Sequence, residues 1–454
     1  MATAPPTVLV VGGGFAGMAA AARLAARRIP VLLLEQRARL GGRAYSFHDP
    51  GSADTLDNGQ HVLTGACGAA LALFRLLGTE RLLKFQRRLR IDYLDAAGPG
   101  GTLDCPPLPT PFHLLAGLLR LRALRPRDRL AALRVGLALR GAAADRSLDE
   151  LTVEAWLDRL GQPEAARRLL WRPLALAILN ETTERASALP LARTLAESFL
   201  GGRRQSVMIL PGAGLSRLYE AALPDFLAAR GGSVRTGARA VRIETEGGAT
   251  ERVAAVTLAD GTRLPASRVI VAVPHQALPP LLPAALAAGE PFRSLSGLGA
   301  APIVSIHLWL DREVTALPFV GLLGTEVQWV FNRNALADDV SGHLLTLVHS
   351  AAHAAAARPA AELAAAALED LRRVLPAARA ARVLRSRVVK ERRATFAPLP
   401  GTDRLRPGPR TAVQGLLLAG DWTATGLPAT IEGAVRSGNC AADVALEGET
   451  GVRT

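Results

Sequence analysis

The sequence predicts an α/β fold, with one domain assembled from both ends of the chain and interrupted by a discontinuous α+β domain. Three observations carry this prediction. An apolar strand, a glycine-rich turn, a helix and a second strand follow one another at the start of the chain. A strand ending in Gly-Asp precedes a helix near residue 430, and the long stretch between them alternates helical and strand-like patterning. At 454 residues the chain is also long for a single core, which favours two domains.

The first elements lie in "TVLVVGGGFAGMAAAARLAARRIPVLLLEQRARLGGRAYS". Val8 to Val11 reads as a buried strand, about Gly14 to Arg27 as a helix, and Val31 to Leu34 as a second strand. Gly12, Gly14 and Gly17 form G-x-G-x-x-G, which turns the chain sharply, brings backbone N–H groups to a pyrophosphate and packs helix on strand in the Rossmann manner. Phe15 and Ala16 open the helix beside that site. Glu35, followed by Gln36, ends the second strand where a carboxylate accepts hydrogen bonds from a ribose diol. Nicotinamide and flavin enzymes share these parts. Gly41, Gly42 and Arg43 add a second close backbone approach and a guanidinium for the far side of a diphosphate.

Residues 106 to 205 read as helical, with leucines at helical spacing, arginines between them and an interruption at Pro126. Core-packed helices with solvated arginines are the default reading, and an Arg/Leu surface of this kind also suits contact with anionic lipid. Residues 206 to 275 read as a helix after Pro211-Gly212, a short strand, then strands joined by Gly247-Gly248 and Asp260-Gly261 turns. Residues 276 to 410 contain the strands "PIVSIHLWL", "HLLTLVHS" and "ARVLRSRVVKE" and an Ala-rich helix near 357 to 374. Their natural packing is an antiparallel sheet with helices on one face, bounding a pocket for which Trp309, Trp329 and Phe331 are candidate walls.

Residues 411 to 454 return the chain with a strand from Leu416 to Ala419, Gly420-Asp421, and a helix starting near Ala429 or Thr430. Asp421 is placed to accept from ribityl hydroxyls. The helix start at Thr430 and Ile431 would stabilise negative charge on a reduced isoalloxazine. A cofactor held by both ends of the chain is FAD rather than NAD. The expected FAD-binding domain takes in residues 1–105 and 411–454.

Hydrophobic residues make up 49% and charged residues 21%, a globular composition without a disordered tract. The net charge is +14, yet all but two of the 54 basic residues, Lys84 and Lys390, are arginines spread through apparent helices. With aromatics at 4%, there is no basic run with stacking residues, so nucleic acid is not an expected partner. Cys67, Cys105 and Cys440 are far apart and show no CxxC spacing, which argues against disulfides and zinc and for a reducing, cytoplasmic setting. No uncharged run reaches the length of a membrane span.

The pairing of "VVGGGFAGMAAA…LLLEQRARLGGRAYS" with "LLLAGDWTATGLPATIEGAVRSG" resembles the flavin amine oxidase and phytoene desaturase superfamily. Within it, "LDNGQHVL" and "GDWTATGLPATIEGAVRSG" are most similar to the hydroxysqualene dehydroxylase branch. The resemblance implies a flavin amine oxidase-like fold with FAD as cofactor, in which residues 206–275 return to the FAD-binding domain and 106–205 and 276–410 form the substrate domain. It also implies a long isoprenoid substrate, hydroxysqualene, whose allylic hydroxyl is replaced by hydrogen to give squalene for hopanoid synthesis, with peripheral contact at the inner face of the cytoplasmic membrane. Val241 is implied to lie near the adenine, and residues 55 to 63, "TLDNGQHVL", to run past the flavin ring. Gly59 is then a close-approach position. Gln60 and His61 face flavin N5 or the substrate hydroxyl, with His61 as proton donor and Asp57 as its orienter.

Isoprenoid desaturation on the same scaffold stays open, because the sequence does not give the direction of hydride transfer. An amine oxidase would carry an aromatic cage near the C-terminal motif and often a lysine at the flavin. Tyr45, Tyr93 and Tyr219 lie elsewhere in the chain, and only Lys390 sits in a strand able to reach a pocket. A prenyl-binding protein without flavin would not need Glu35, Gly42-Arg43 and Gly420-Asp421 together.

Overall fold

A computed structural model describes residues 8–247, 251–337 and 340–447. Five parallel strands form the first sheet in the order Ser233–Arg235, Val31–Leu34, Val8–Val11, Val269–Val271, Leu416–Leu418, so that three distant parts of the chain meet in one layer. Successive side chains of a strand point to opposite faces, and both faces here are covered. Val8 and Val10 pack under the helices Phe15–Ala26 and Ile431–Glu447. Leu9 and Val11 pack against an antiparallel sheet of Ala240–Glu246, Arg252–Leu258 and Arg263–Pro265. The two helices touch backbone to backbone, because a Cβ on Gly438 would lie 2.0 Å from the Ala16 carbonyl oxygen. The Asp260-Gly261 turn forms as expected, with Gly261 at φ +84°. Gly248, half of the other expected turn, lies outside the described residues.

The second sheet has seven strands in the order Val383–Phe396, Ala300–Leu310, His343–His349, Trp329–Asn332, Phe319–Leu323, Arg90–Asp95, Gly98–Asp104. All neighbours are antiparallel except Phe319–Leu323 with Arg90–Asp95. This corrects the expected boundary at residue 105, since the hairpin 90–104 extends the substrate-side sheet. Its partner is more than 200 residues away, and the fit depends on Gly321, where a Cβ would sit 2.6 Å from the Tyr93 ring. One face of this sheet carries Val304, Ile306, Val330 and Leu347 against the helix Ala360–Val374. The opposite face carries Trp329, Phe331 and Val348 towards the helices of residues 112–200. In that helical layer Pro126 opens the helix Pro126–Ala142, where its missing N–H costs nothing, rather than interrupting a longer one.

Candidate functional site

The two sheets enclose a cavity of about 900 Å³, at the large end of small-molecule sites. Every expected cofactor contact lines it except Gly17: Gly12, Gly14, Phe15, Ala16, Glu35, Gln36, Gly41, Gly42, Arg43, Gly59, Val241, Gly420, Asp421, Thr430 and Ile431. Gly17 lies behind the wall. A Cβ there would meet the Gly12 carbonyl oxygen at 1.9 Å, so its role is to let the helix approach the turn.

The nucleotide end is built from backbone. Glu35 is buried, and its carboxylate accepts from the N–H of Gly13 at 2.7 Å and of Arg37 at 2.8 Å, which fixes it at the cavity wall. The helix Phe15–Ala26 starts from an extended Gly14 with no capping side chain and no acidic residue in its first turn. Its N–H groups are therefore available to an anion. The Gly41 N–H donates to the Gly13 carbonyl at 2.9 Å, and a Cβ on Gly42 would come within 3.1 Å of Gly14 Cα. Side chains at Gly14 or Gly42 would fill the cradle between the two turns, and their absence is what a diphosphate requires. Tyr219, which the sequence did not single out, supports the second turn by donating to the Ala44 carbonyl at 2.7 Å.

Arg43 is committed within the protein. Its Nη2 donates to Asp421 Oδ1 at 2.6 Å and its Nη1 to the Ala394 carbonyl at 3.1 Å, joining the two ends of the chain at the cavity wall. Arg406 was not legible, since one arginine among so many carries no signal. It is 2% exposed and donates to the carbonyls of Asp421 at 3.0 Å and Thr423 at 2.6 Å, holding the loop that presents Asp421. Gly420 must be glycine, because the Trp422 indole folds back to within 2.3 Å of where its Cβ would be.

Residues 58 to 61 run between the cavity and the second sheet. Gly59 makes a close approach, but to the sheet: its Cβ position lies 3.2 Å from Ser305 Oγ. Asp57 does not line the cavity and does not bond His61. Its Oδ1 accepts from Ser46 Oγ at 2.6 Å and the Leu215 N–H at 2.8 Å. The contact expected of Asp57 is made by Asn58, whose Oδ1 lies 3.4 Å from His61 Nε2. Asn58 Nδ2 donates to the Arg43 carbonyl at 2.8 Å and to Glu391 Oε1 at 3.0 Å, which fixes Oδ1 as the acceptor and puts the proton of neutral His61 on Nε2. Desolvation holds the His61 pKa below its ordinary value, against the charges of Asp57 and Glu391. At neutral pH the ring is uncharged, with Nδ1 free to accept.

Two further corrections concern the second sheet, and strand periodicity explains the first. Lys390 faces away from the cavity and donates to the Arg358 carbonyl, whereas its neighbour Glu391 lines the cavity beside Ile303. Trp329 and Phe331 are cavity walls, but Trp309 is not: its indole N–H donates to Asp54 Oδ2 at 2.7 Å in a separate cluster. Away from the nucleotide end the walls are apolar, formed by residues such as Leu89, Ile91, Ile178 and Phe199.

The family model for flavin-containing amine oxidoreductases matches residues 15–446. A hydroxysqualene dehydroxylase from Rhodopseudomonas palustris is 31% identical over 97% of this chain and 98% of its own. A 15-cis-phytoene desaturase from an Oncidium hybrid is 27% identical over 98% of this chain and 78% of its own. Among solved structures, cyclohexylamine oxidase from Brevibacterium oxydans superposes with a TM-score of 0.74 at 18% identity, over 98% of this chain and all of that one. That likeness concerns the fold.

Proposed function

Because the chain belongs to the flavin-containing amine oxidoreductase family and is an FAD-dependent oxidoreductase, we propose that it converts hydroxysqualene to squalene by reductive removal of the allylic hydroxyl, supplying hopanoid synthesis. The reading rests on one observation: the nucleotide cradle opens into an apolar space whose walls include Trp329 and Phe331, and Gln60 and His61 are polar groups where the two parts share a wall. A hydrocarbon chain with one hydroxyl matches that distribution. The absence of a lysine from the cavity wall sets it apart from an amine-oxidising site of the kind the sequence raised.

The reduced cofactor, when bound, supplies hydride to the carbon that loses oxygen. The chain's own groups supply the rest. Hydroxide leaves poorly in an apolar site, so the departing oxygen must gain a proton as the C–O bond breaks, and the products are squalene and water. His61 in its imidazolium form holds that proton, and Gln60 binds the oxygen. Glu35, the uncapped helix start at Phe15 and the Arg43–Asp421 pair anchor the dinucleotide, while the aliphatic walls exclude water from the reacting carbon.

Access from lipid fits the surface of the helical layer that packs in one core with the apolar cavity wall. Phe112, Leu130 and Leu137 on the helices Phe112–Arg120 and Pro126–Ala142 are about 60% exposed, at 58%, 60% and 63%. Arg120, Arg122, Arg125, Arg127, Arg134 and Arg140 stand around them, and Asp128, the sole acid of this segment, is buried. A face of this composition suits peripheral contact with anionic membrane lipid. Among the described residues no helix is long and apolar enough to cross a membrane.

The test is anaerobic incubation of the FAD-loaded protein with hydroxysqualene and a flavin reductant, followed by mass analysis. Squalene and water are the expected products. Consumption of squalene with formation of polyenes under oxidising conditions would instead identify an isoprenoid desaturase.

A further inference from the structure

Arg333 is a buried charge outside the cavity wall, only 2% exposed. It follows the strand Trp329–Asn332. Asn332 caps the next turn by accepting from the N–H groups of Asn334 at 3.1 Å and Ala335 at 3.4 Å, which fixes the backbone at Arg333. The guanidinium reaches two groups of the 57–61 segment. Its Nη1 donates to Gln60 Oε1 at 3.1 Å and lies 3.8 Å from Asp57 Oδ2. That carboxylate oxygen is buried without a hydrogen-bond partner, while Oδ1 is tied to Ser46 and Leu215. Asp57 is thus a rigid counter-charge that retains Arg333.

A guanidinium can only donate. The atom of Gln60 that faces it must be the carbonyl oxygen, so the amide nitrogen is turned away from Arg333. Its one hydrogen bond among the described residues is to the His61 carbonyl at 3.5 Å, too long to consume both protons. Withdrawal of density from Oε1 by the cation also strengthens the N–H groups as donors. We propose that Arg333 is the positioning residue of the reacting centre: with Asp57 it locks the Gln60 amide so that Nε2 presents a hydrogen-bond donor to the hydroxyl oxygen of an isoprenoid alcohol. Asp57 thereby acts on the site through Arg333 and Gln60 rather than through His61. This rests on the dehydroxylation reading for the identity of the oxygen, and on the Arg333 geometry for the donor.

Two altered proteins separate the parts. Gln60→Glu keeps the shape and the contact with Arg333 but carries no donor. The double variant Asp57→Asn/Arg333→Met removes both buried charges together, so that neither is left unpaired, and frees the amide to flip. Binding of squalene and of a saturated long-chain alcohol of similar length is followed by quenching of tryptophan fluorescence, to which the cavity-lining Trp329 and Trp422 contribute, alongside kcat and KM for hydroxysqualene. The wild type should prefer the alcohol by about three- to tenfold, the worth of one hydrogen bond. Both variants should lose that preference at unchanged squalene affinity and melting temperature, and should lose kcat more than KM. Retention of the preference and of kcat in both variants overturns the role of Arg333 and Gln60. A wild type that prefers the alcohol but forms no squalene, with the preference lost in the variants, upholds the donor and removes the dehydroxylation reading instead.

Discussion

Gly14→Ala separates cofactor binding from folding more cleanly than any other single change in the cradle. The substitution fits without strain: φ at Gly14 is −77°, and the nearest heavy atom to an added Cβ is Gly42 Cα at 4.0 Å. Loss of glycine from the unfolded chain favours folding by about 0.4–1 kcal/mol, and the poorer N-capping of alanine offsets it, so the apoprotein should melt close to the wild type. The added methyl nevertheless enters the space where the helix Phe15–Ala26 presents its free N–H groups. If it holds the diphosphate off two of them, two charge-assisted hydrogen bonds of about 1.5–3 kcal/mol each are lost. FAD affinity should then fall by roughly 10²- to 10⁴-fold. The assay is calorimetric titration of FAD into apoprotein, with a melting curve of the apoprotein beside it. Gly17→Ala is the control: its Cβ would collide with the Gly12 oxygen at 1.9 Å, so stability itself should drop. A Gly14→Ala protein that melts normally and binds FAD like the wild type would refute the cradle.

Three other outcomes follow from the same geometry. The His61 pKa lies below 6.5, so its acid form becomes populated only as pH falls; turnover should rise roughly tenfold per unit from pH 8 downwards and go on rising past pH 6.5 before it levels off, and a His61→Gln enzyme should retain FAD with little turnover and no such slope. His307 is buried, with Nε2 unpartnered, and desolvation first, then the Arg333 charge, lower its pKa to about 3. Because the folded value is the depressed one, stability is full above pH 6.5 and is lost as pH falls towards 3, by about 5 kcal/mol at most; urea midpoints of a His307→Met protein should lack that dependence, and identical slopes would disprove it. Leu130→Asp/Leu137→Asp touches no core, yet should weaken co-sedimentation with anionic vesicles roughly a hundredfold, whereas unchanged partitioning would rule out this face as the lipid contact.

The sequence by itself determined the frame of the nucleotide site. The strand Val8–Val11, the glycine turn, the strand Val31–Leu34 and the Gly420-Asp421 return all stand where the pattern puts them, because each is set by local chain geometry: an apolar run, a turn without side chains, a helix period. Tertiary structure decided which polar groups meet. The two-residue period of a strand says that Lys390 and Glu391 point opposite ways, but only packing against the helix Ala360–Val374 decides that Glu391 is the one at the cavity. Asn58 likewise takes the place expected of Asp57, since a carboxylate can bond His61 or the Leu215 N–H, and the fold brings up the latter. Arg333 and Arg406 were invisible among dozens of arginines. What distinguishes them is burial, a property of the whole fold, and it turns two ordinary cations into the groups that hold Gln60 and Asp421 in place.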